Sequence, residues 1–173
     1  MRDLYCKIIN NPELLIASIA LLTSVFSIIV GVVGLYFQRI HNKKSVLPLG
    51  SINLADYEDC LRIKISNNGV GPMIIKSCIT KGNSENKSYP IDWMPDNIIW
   101  KTFRRNLEEH AIIASESLTL LELNVDLNDK AAVKQREKIR NILKDLEMTI
   151  KYTDIYGKNF TESRKLNWFG RNL

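Results

Sequence analysis

Histidine and cysteine are scarce in this 173-residue sequence, with two of the first and three of the second. His41 follows a long apolar run and His110 precedes an apolar strand, so neither has a neighbouring nucleophile. No Cys/His cluster has the spacing of a zinc site. There is no GxxxxGK[ST] phosphate loop and no GxSxG elbow. Glu108 and Glu109 are adjacent and so poorly placed to share a substrate. These absences exclude the common hydrolase, nucleotide triphosphatase and zinc-enzyme plans. The expectation is a protein that is not an enzyme and holds neither cofactor nor metal. The cysteines, Cys6, Cys60 and Cys78, are odd in number. Nothing forces a Cys60–Cys78 disulfide, and unpaired thiols suit a reducing compartment. Internal repeats and low-complexity tracts are also absent.

Charge is absent from Leu14 to Phe37, a run of 24 residues. As a helix it is about 36 Å long, enough to cross a hydrocarbon core of ~30 Å with some tilt. No polar face interrupts it, as a buried core helix would require. It is too long for the apolar part of a signal peptide, and no small-residue cleavage site follows. Pro12 suits the first turn, and Tyr36 and Phe37 suit the interfacial end. The following flank carries Arg39, Lys43 and Lys44, with no acid before Asp56. The preceding flank balances Arg2 and Lys7 against Asp3 and Glu13. This bias predicts a single-pass protein with its C-terminal domain in the cytoplasm and its N-terminus facing the periplasm or exterior. Arg39, Lys43 and Lys44 would then contact lipid headgroups. The domains expected are a flank at 1–13, a transmembrane helix at 14–37, a basic linker at 38–45 and a soluble domain at 46–173.

Small residues mark the apolar run with a second period. Ala17, Ala20, Ser24, Ser27, Gly31 and Gly34 recur at intervals of 3 and 4, a heptad seam. Small seams let helix backbones approach closely, and a 3.5-residue period predicts left-handed crossing. Packing in a homo-oligomer is the simpler reading. A pore lined by Ser24 and Ser27, closed at rest, is the sharper one.

Past the linker, strand signals dominate. Val46–Leu54 reads as extended. Leu61, Ile63 and Ile65 alternate with Arg62 and Lys64, the mark of a half-buried strand. Asn67–Pro72 reads as a turn of residues that tolerate positive φ, joining this strand to Met73–Thr80 as a hairpin. Tyr89–Trp93, His110–Ala114 and Leu118–Val125 read as strands, and 98–107 is ambiguous. A helix over Asp129–Leu146 turns Ala132, Ile139, Ile142, Leu143 and Leu146 inward. A hairpin through Tyr156–Asn159 closes the chain. The fold class expected is an N-terminal transmembrane α-helix, then a mainly-β domain, an antiparallel sandwich or open barrel, with one inserted amphipathic helix.

The net charge of +5 is modest. It concentrates on the inserted helix, at Lys130, Lys134, Arg136, Lys138, Arg140 and Lys144. Like charges four residues apart cost a few tenths of a kcal/mol per pair unless neutralised. Glu137 offsets part of that, and a solvated face is the simple reading. The alternative is an anion site on Lys134, Arg136, Lys138, Arg140 and Lys144. Arg104 and Arg105, near Trp100 and Phe103, form a second candidate, suited to a base and its phosphate.

NNGVGPMIIKSCI, a polar loop and the KYTDIYGKNF hairpin, all behind one N-terminal helix, resemble a diffuse group of uncharacterised bacterial membrane proteins. The likeness covers most of residues 14 to 168, with Met73 where that group has alanine. It implies an immunoglobulin-like sandwich with an N-x-G-x-G-P hairpin, and no catalytic residues. The layout is also similar to small anti-phage membrane effectors, in which a cytosolic domain binds a nucleotide messenger and the helices perturb the bilayer. The function expected is therefore an oligomeric membrane-anchored effector or sensor binding an anionic ligand, such as a cyclic nucleotide or oligonucleotide messenger. Its partners would be the lipid bilayer, further copies of itself and that ligand. The alternative is a membrane-tethered adaptor that docks a protein partner through a sheet edge or the Trp93–Trp100 region.

Overall fold

The computed structural model describes residues 12–83 and 85–171. Cys6 and most of the 1–13 flank lie outside them. The chain divides into two compact units, residues 1–44 and 45–173.

The described residues of the first unit belong to helix α1, Pro12–Ser45, none of whose residues is buried. Among the described residues it is the one helix long and apolar enough to cross a membrane. Residues 38–45, expected as a linker, continue it without a break, and Lys43 and Lys44 occupy its last turn. Cations there complement the partial negative charge of the helix end. The hydroxyls of the apolar stretch are satisfied internally. Ser24 Oγ donates to the Leu21 carbonyl at 2.8 Å, and Ser27 Oγ to that of Thr23 at 2.8 Å. They can therefore sit in hydrocarbon without a polar partner.

The second unit is mainly β and antiparallel. Its strands are β1 (Gly50–Asp56), β2 (Cys60–Asn67), β3 (Met73–Lys81), β4 (Asn86–Lys87), β5 (Thr102–Phe103), β6 (Ala111–Ile112), β7 (Ser117–Asn124), β8 (Glu147–Thr153) and β9 (Asn159–Lys165). One sheet runs β1-β2-β7-β5. The other runs β4-β3-β8-β9, with β6 also paired to β3. Alternation places Leu61, Ile63 and Ile65 inside, fully buried. They meet Ile75, Met148 and Ile150 of the second sheet in one core. Helix α2, Lys130–Leu143, bridges β7 and β8. Asp129 caps it, its side chain accepting from Ala131 N, and Ile139 and Leu143 turn inward.

One expected connection is corrected. β2 and β3 are not a hairpin, because they lie in different sheets and Asn67–Pro72 crosses between them. The stretch before β7 also crosses between the sheets, since β6 pairs with β3. Tyr89–Trp93 is not a strand. Pro90–Trp93 forms a 3-10 turn, with the Asp92 carboxylate accepting from Tyr89 N at 3.1 Å. Proline lacks the N–H a central strand needs, and aspartate supplies the cap.

The crossing at Asn67–Pro72 grips the chain that leads out of α1. Asn67 is fully buried. Its Nδ2 donates to Gly71 O at 2.7 Å and to Ile112 O at 3.0 Å. Its Oδ1 accepts from Gly69 N at 3.0 Å and Leu49 N at 3.2 Å. Val70 N and Gly71 N both donate to Leu47 O, and Asn68 N to Leu49 O. A Cβ on Gly71 would fall 1.8 Å from Val46 O, and one on Gly69 2.4 Å from Leu47 O. Neither glycine has a positive φ. They are needed for close backbone approach, not for the turn conformation the motif suggests.

Candidate functional site

The basic residues of α2 divide by face. Spacing puts Arg136 and Arg140 on the inner side, beside Ile139 and Leu143, and both are largely buried. Opposite them stands Asp56, the last residue of β1, its side chain 1% exposed. Arg136 Nη2 donates to Asp56 Oδ1 at 2.8 Å and to Tyr57 O at 2.8 Å. Arg140 Nη2 lies 3.2 Å from Asp56 Oδ2 and donates to Arg171 O at 2.6 Å. Glu137 accepts from Nη1 of both arginines, at 3.0 Å from Arg136 and at 3.0 and 3.1 Å from Arg140. Arg171 completes the cluster. Its Nη2 donates to Asp56 O at 2.7 Å, and its guanidinium lies 3.8 Å from the Trp168 ring centroid. These arginines are engaged in holding β1, α2 and the C-terminal turn together.

The lysines face outward. Lys134 and Lys138 are exposed. They line a cleft of about 460 Å³ with Pro95, Asn97, Ile98 and Gln135. Gln135 Nε2 donates to Asn97 O at 3.3 Å, which fixes one wall to the helix. Asp129 also borders the cleft, its carboxylate already turned to the helix cap. Among the described residues no carboxylate pairs with Lys134 or Lys138, unlike the arginines beside them.

The remaining candidates lie elsewhere. Lys144, past the end of α2, donates to Asn141 Oδ1 at 2.8 Å. Arg105 pairs with Asp92 at 3.0 Å, and Arg104 is exposed beside β5. Neither borders the lysine cleft. Trp100 and Trp93 pack against the core. Ala17, Ala20, Ser24, Ser27, Gly31 and Gly34 all fall within the single helix α1. A Cβ on Gly31 or Gly34 would meet nothing within 4 Å. The fold of this chain thus gives no reason for glycine at either position, where it costs a helix about 1 kcal/mol relative to alanine.

Chemistry is sparse. No group of three or more His, Cys, Asp or Glu could hold a metal among the described residues. Cys60 and Cys78 are free thiols. Burial, with Asp92 adding to it, pushes Cys78 up to about 12. Burial also raises Cys60, with Arg62 opposing. A thiol held protonated is a poor nucleophile. No family model, curated protein or solved structure matches the chain.

Asp56 and Arg171 lie far from Arg136 and Arg140 in the sequence, which hides them as partners. A signal was present, since residues 136, 140 and 143 share one stripe of the helix with Ile139.

Proposed function

We propose that the chain is a membrane-anchored, self-associating effector or sensor, with α1 as its span and the sandwich binding an anionic ligand from the cytoplasmic side. The carrying observation is the pair Lys134 and Lys138. They stand one helical turn apart on the same cleft without a carboxylate partner, whereas Arg136 and Arg140 are neutralised. Like charges left this way cost a few tenths of a kcal/mol, which a bound anion reverses. Two ammonium groups and the walls at Pro95 and Ile98 suit a phosphate joined to a flat, partly apolar body. A nucleotide has that chemistry, and the likeness in layout to anti-phage effectors points to the same class. The seam of α1 would carry self-association, with Gly31 and Gly34 kept small for a second helix.

Calorimetry of the full chain in lipid nanodiscs, against cyclic mononucleotides, cyclic dinucleotides and short oligonucleotides, tests the ligand. One class is expected to bind. Lys134→Ala and Lys138→Ala should each weaken it about tenfold or more, the worth of a charge-assisted hydrogen bond. The unfolding temperature should not move, because both side chains are exposed. Silence across the panel removes the ligand reading.

One observation favours the adaptor as the second reading. Ile99 is 93% exposed, next to cleft residue Ile98. A protein partner would cover it. Ile99→Asp would then abolish co-purification of that partner and leave any nucleotide titration unchanged.

A further inference from the structure

Strand order gives the sandwich two unlike ends. Gly50 opens β1 opposite Asn67, Ser117 opens β7 opposite Ser66, and Thr153 closes β8 opposite Asn159. The segments 46–49, 68–72, 113–116 and 154–158 therefore share one end. Each presents a large apolar side chain to solvent. Leu49 is 60% exposed, Val70 72%, Ile113 56% and Ile155 54%. Charge is nearly missing there. Asp154 is buried and accepts from Tyr156 N and Lys158 N. Apart from it, these segments carry only Glu116 and Lys158. The opposite end also exposes apolar groups, but among Glu58, Asp59, Asp96, Asp126 and Asp129.

The apolar segments are held in place. Asn67 pins 46–49 and 68–72, and the Asp154 carboxylate pins 154–158. Rigid apolar tips left in water forgo roughly 25 cal/mol for each Å² they could bury. The chain also selects what they meet. Gly50 follows Phe37, the end of the apolar run, by only 13 residues. Within the sandwich, the seven-residue strand β1 separates this end from the opposite one by about 23 Å.

We propose that this end is a lipid-docking surface, with Leu49, Val70, Ile113 and Ile155 seated at the boundary between headgroups and acyl chains. A phospholipid bilayer fits better than a protein here, because segment 46–49 follows the membrane anchor directly in the sequence and the surface lacks the charges a protein interface uses at its rim. Lys158 can lay its stem along the apolar surface and keep its ammonium among lipid phosphates. The proposal rests on α1 crossing the bilayer, and does not depend on the lysine cleft.

The test uses the full chain in vesicles of phosphatidylethanolamine and phosphatidylglycerol. Single cysteines at Val70, Ile113 or Ile155 carry an environment-sensitive fluorophore, in a Cys6→Ser, Cys60→Ser, Cys78→Ala background. Ile28 within α1 and Leu127 at the opposite end are the references. Blue-shifted emission, with at least about half the intensity lost to nitroxide-bearing lipids, is expected at the three loop sites and at Ile28, as for groups 5–10 Å into the boundary or deeper. Leu127 should remain water-like. Water-like emission at the loops, with Ile28 quenched, overturns the docking surface and keeps the anchor. A blue shift that lipid nitroxides do not quench means a second copy covers this end, and also overturns it. An unquenched Ile28 overturns the anchor itself.

Discussion

Asp56→Ala is expected to destabilise the sandwich by about 3–5 kcal/mol, the usual cost of stripping one partner from a buried ion pair. Asp56 faces Arg136, Arg140 and Arg171, and its side chain is 1% exposed. Without it, Glu137 alone faces Arg136 and Arg140, whose Nε atoms already lack hydrogen-bond partners. For a domain of this size the loss amounts to a fall on the order of 10–20 °C in unfolding temperature, read by thermal denaturation in detergent. A second variant separates stranded charge from lost contact. In an Arg140→Met background, Asp56→Ala should cost clearly less than in the wild type. Equal cost in both backgrounds would mean that the cluster does not act as a unit.

The second large effect lies at the crossing between the sheets. Asn67→Ala removes four hydrogen bonds at a fully buried side chain. At 1–3 kcal/mol for each buried group left unsatisfied, and with water reaching some of them, a cost of about 4 kcal/mol is expected. Gly71→Ala should also be severe, since its Cβ would meet backbone rather than a flexible side chain. The exposed neighbour is the control. Asn68 is exposed, and its side chain donates to Ser51 Oγ at 2.9 Å. Asn68→Ala should stay within about 0.5 kcal/mol, as surface changes do. Urea unfolding of the three variants side by side checks the order. If Asn67→Ala proved as mild as Asn68→Ala, the crossing would not be a clamp.

Much of the fold was legible because it rests on one-dimensional signals. An uninterrupted apolar run marks α1. A period of two marks β2, and aliphatics recurring at helical spacing mark α2. What stayed hidden depends on partners distant in sequence. Alternation tells which face of β2 is buried, but not that β7 rather than β3 lies beside it. The glycines of Asn67–Pro72 read as turn formers because their true contacts, Val46 and Leu47, lie more than twenty residues upstream. From sequence alone the basic helix forms one patch. Its arginines and lysines differ only in the face they occupy, and the deciding acid, Asp56, sits 80 residues before Arg136. Lys134 and Lys138 stayed in view because the fold supplies them with no such acid.

The proposed self-association requires copies of α1 to meet along one side. Single cysteines placed at each position from Ala17 to Gly34, in a cysteine-free chain reconstituted in bilayers, can be oxidised and scored for disulfide-linked dimer. The predicted profile peaks at Ala17, Ala20, Ser24, Ser27, Gly31 and Gly34 and falls to background between them, at a repeat of about 3.5 residues. A flat profile, or none above background, would contradict self-association through that face.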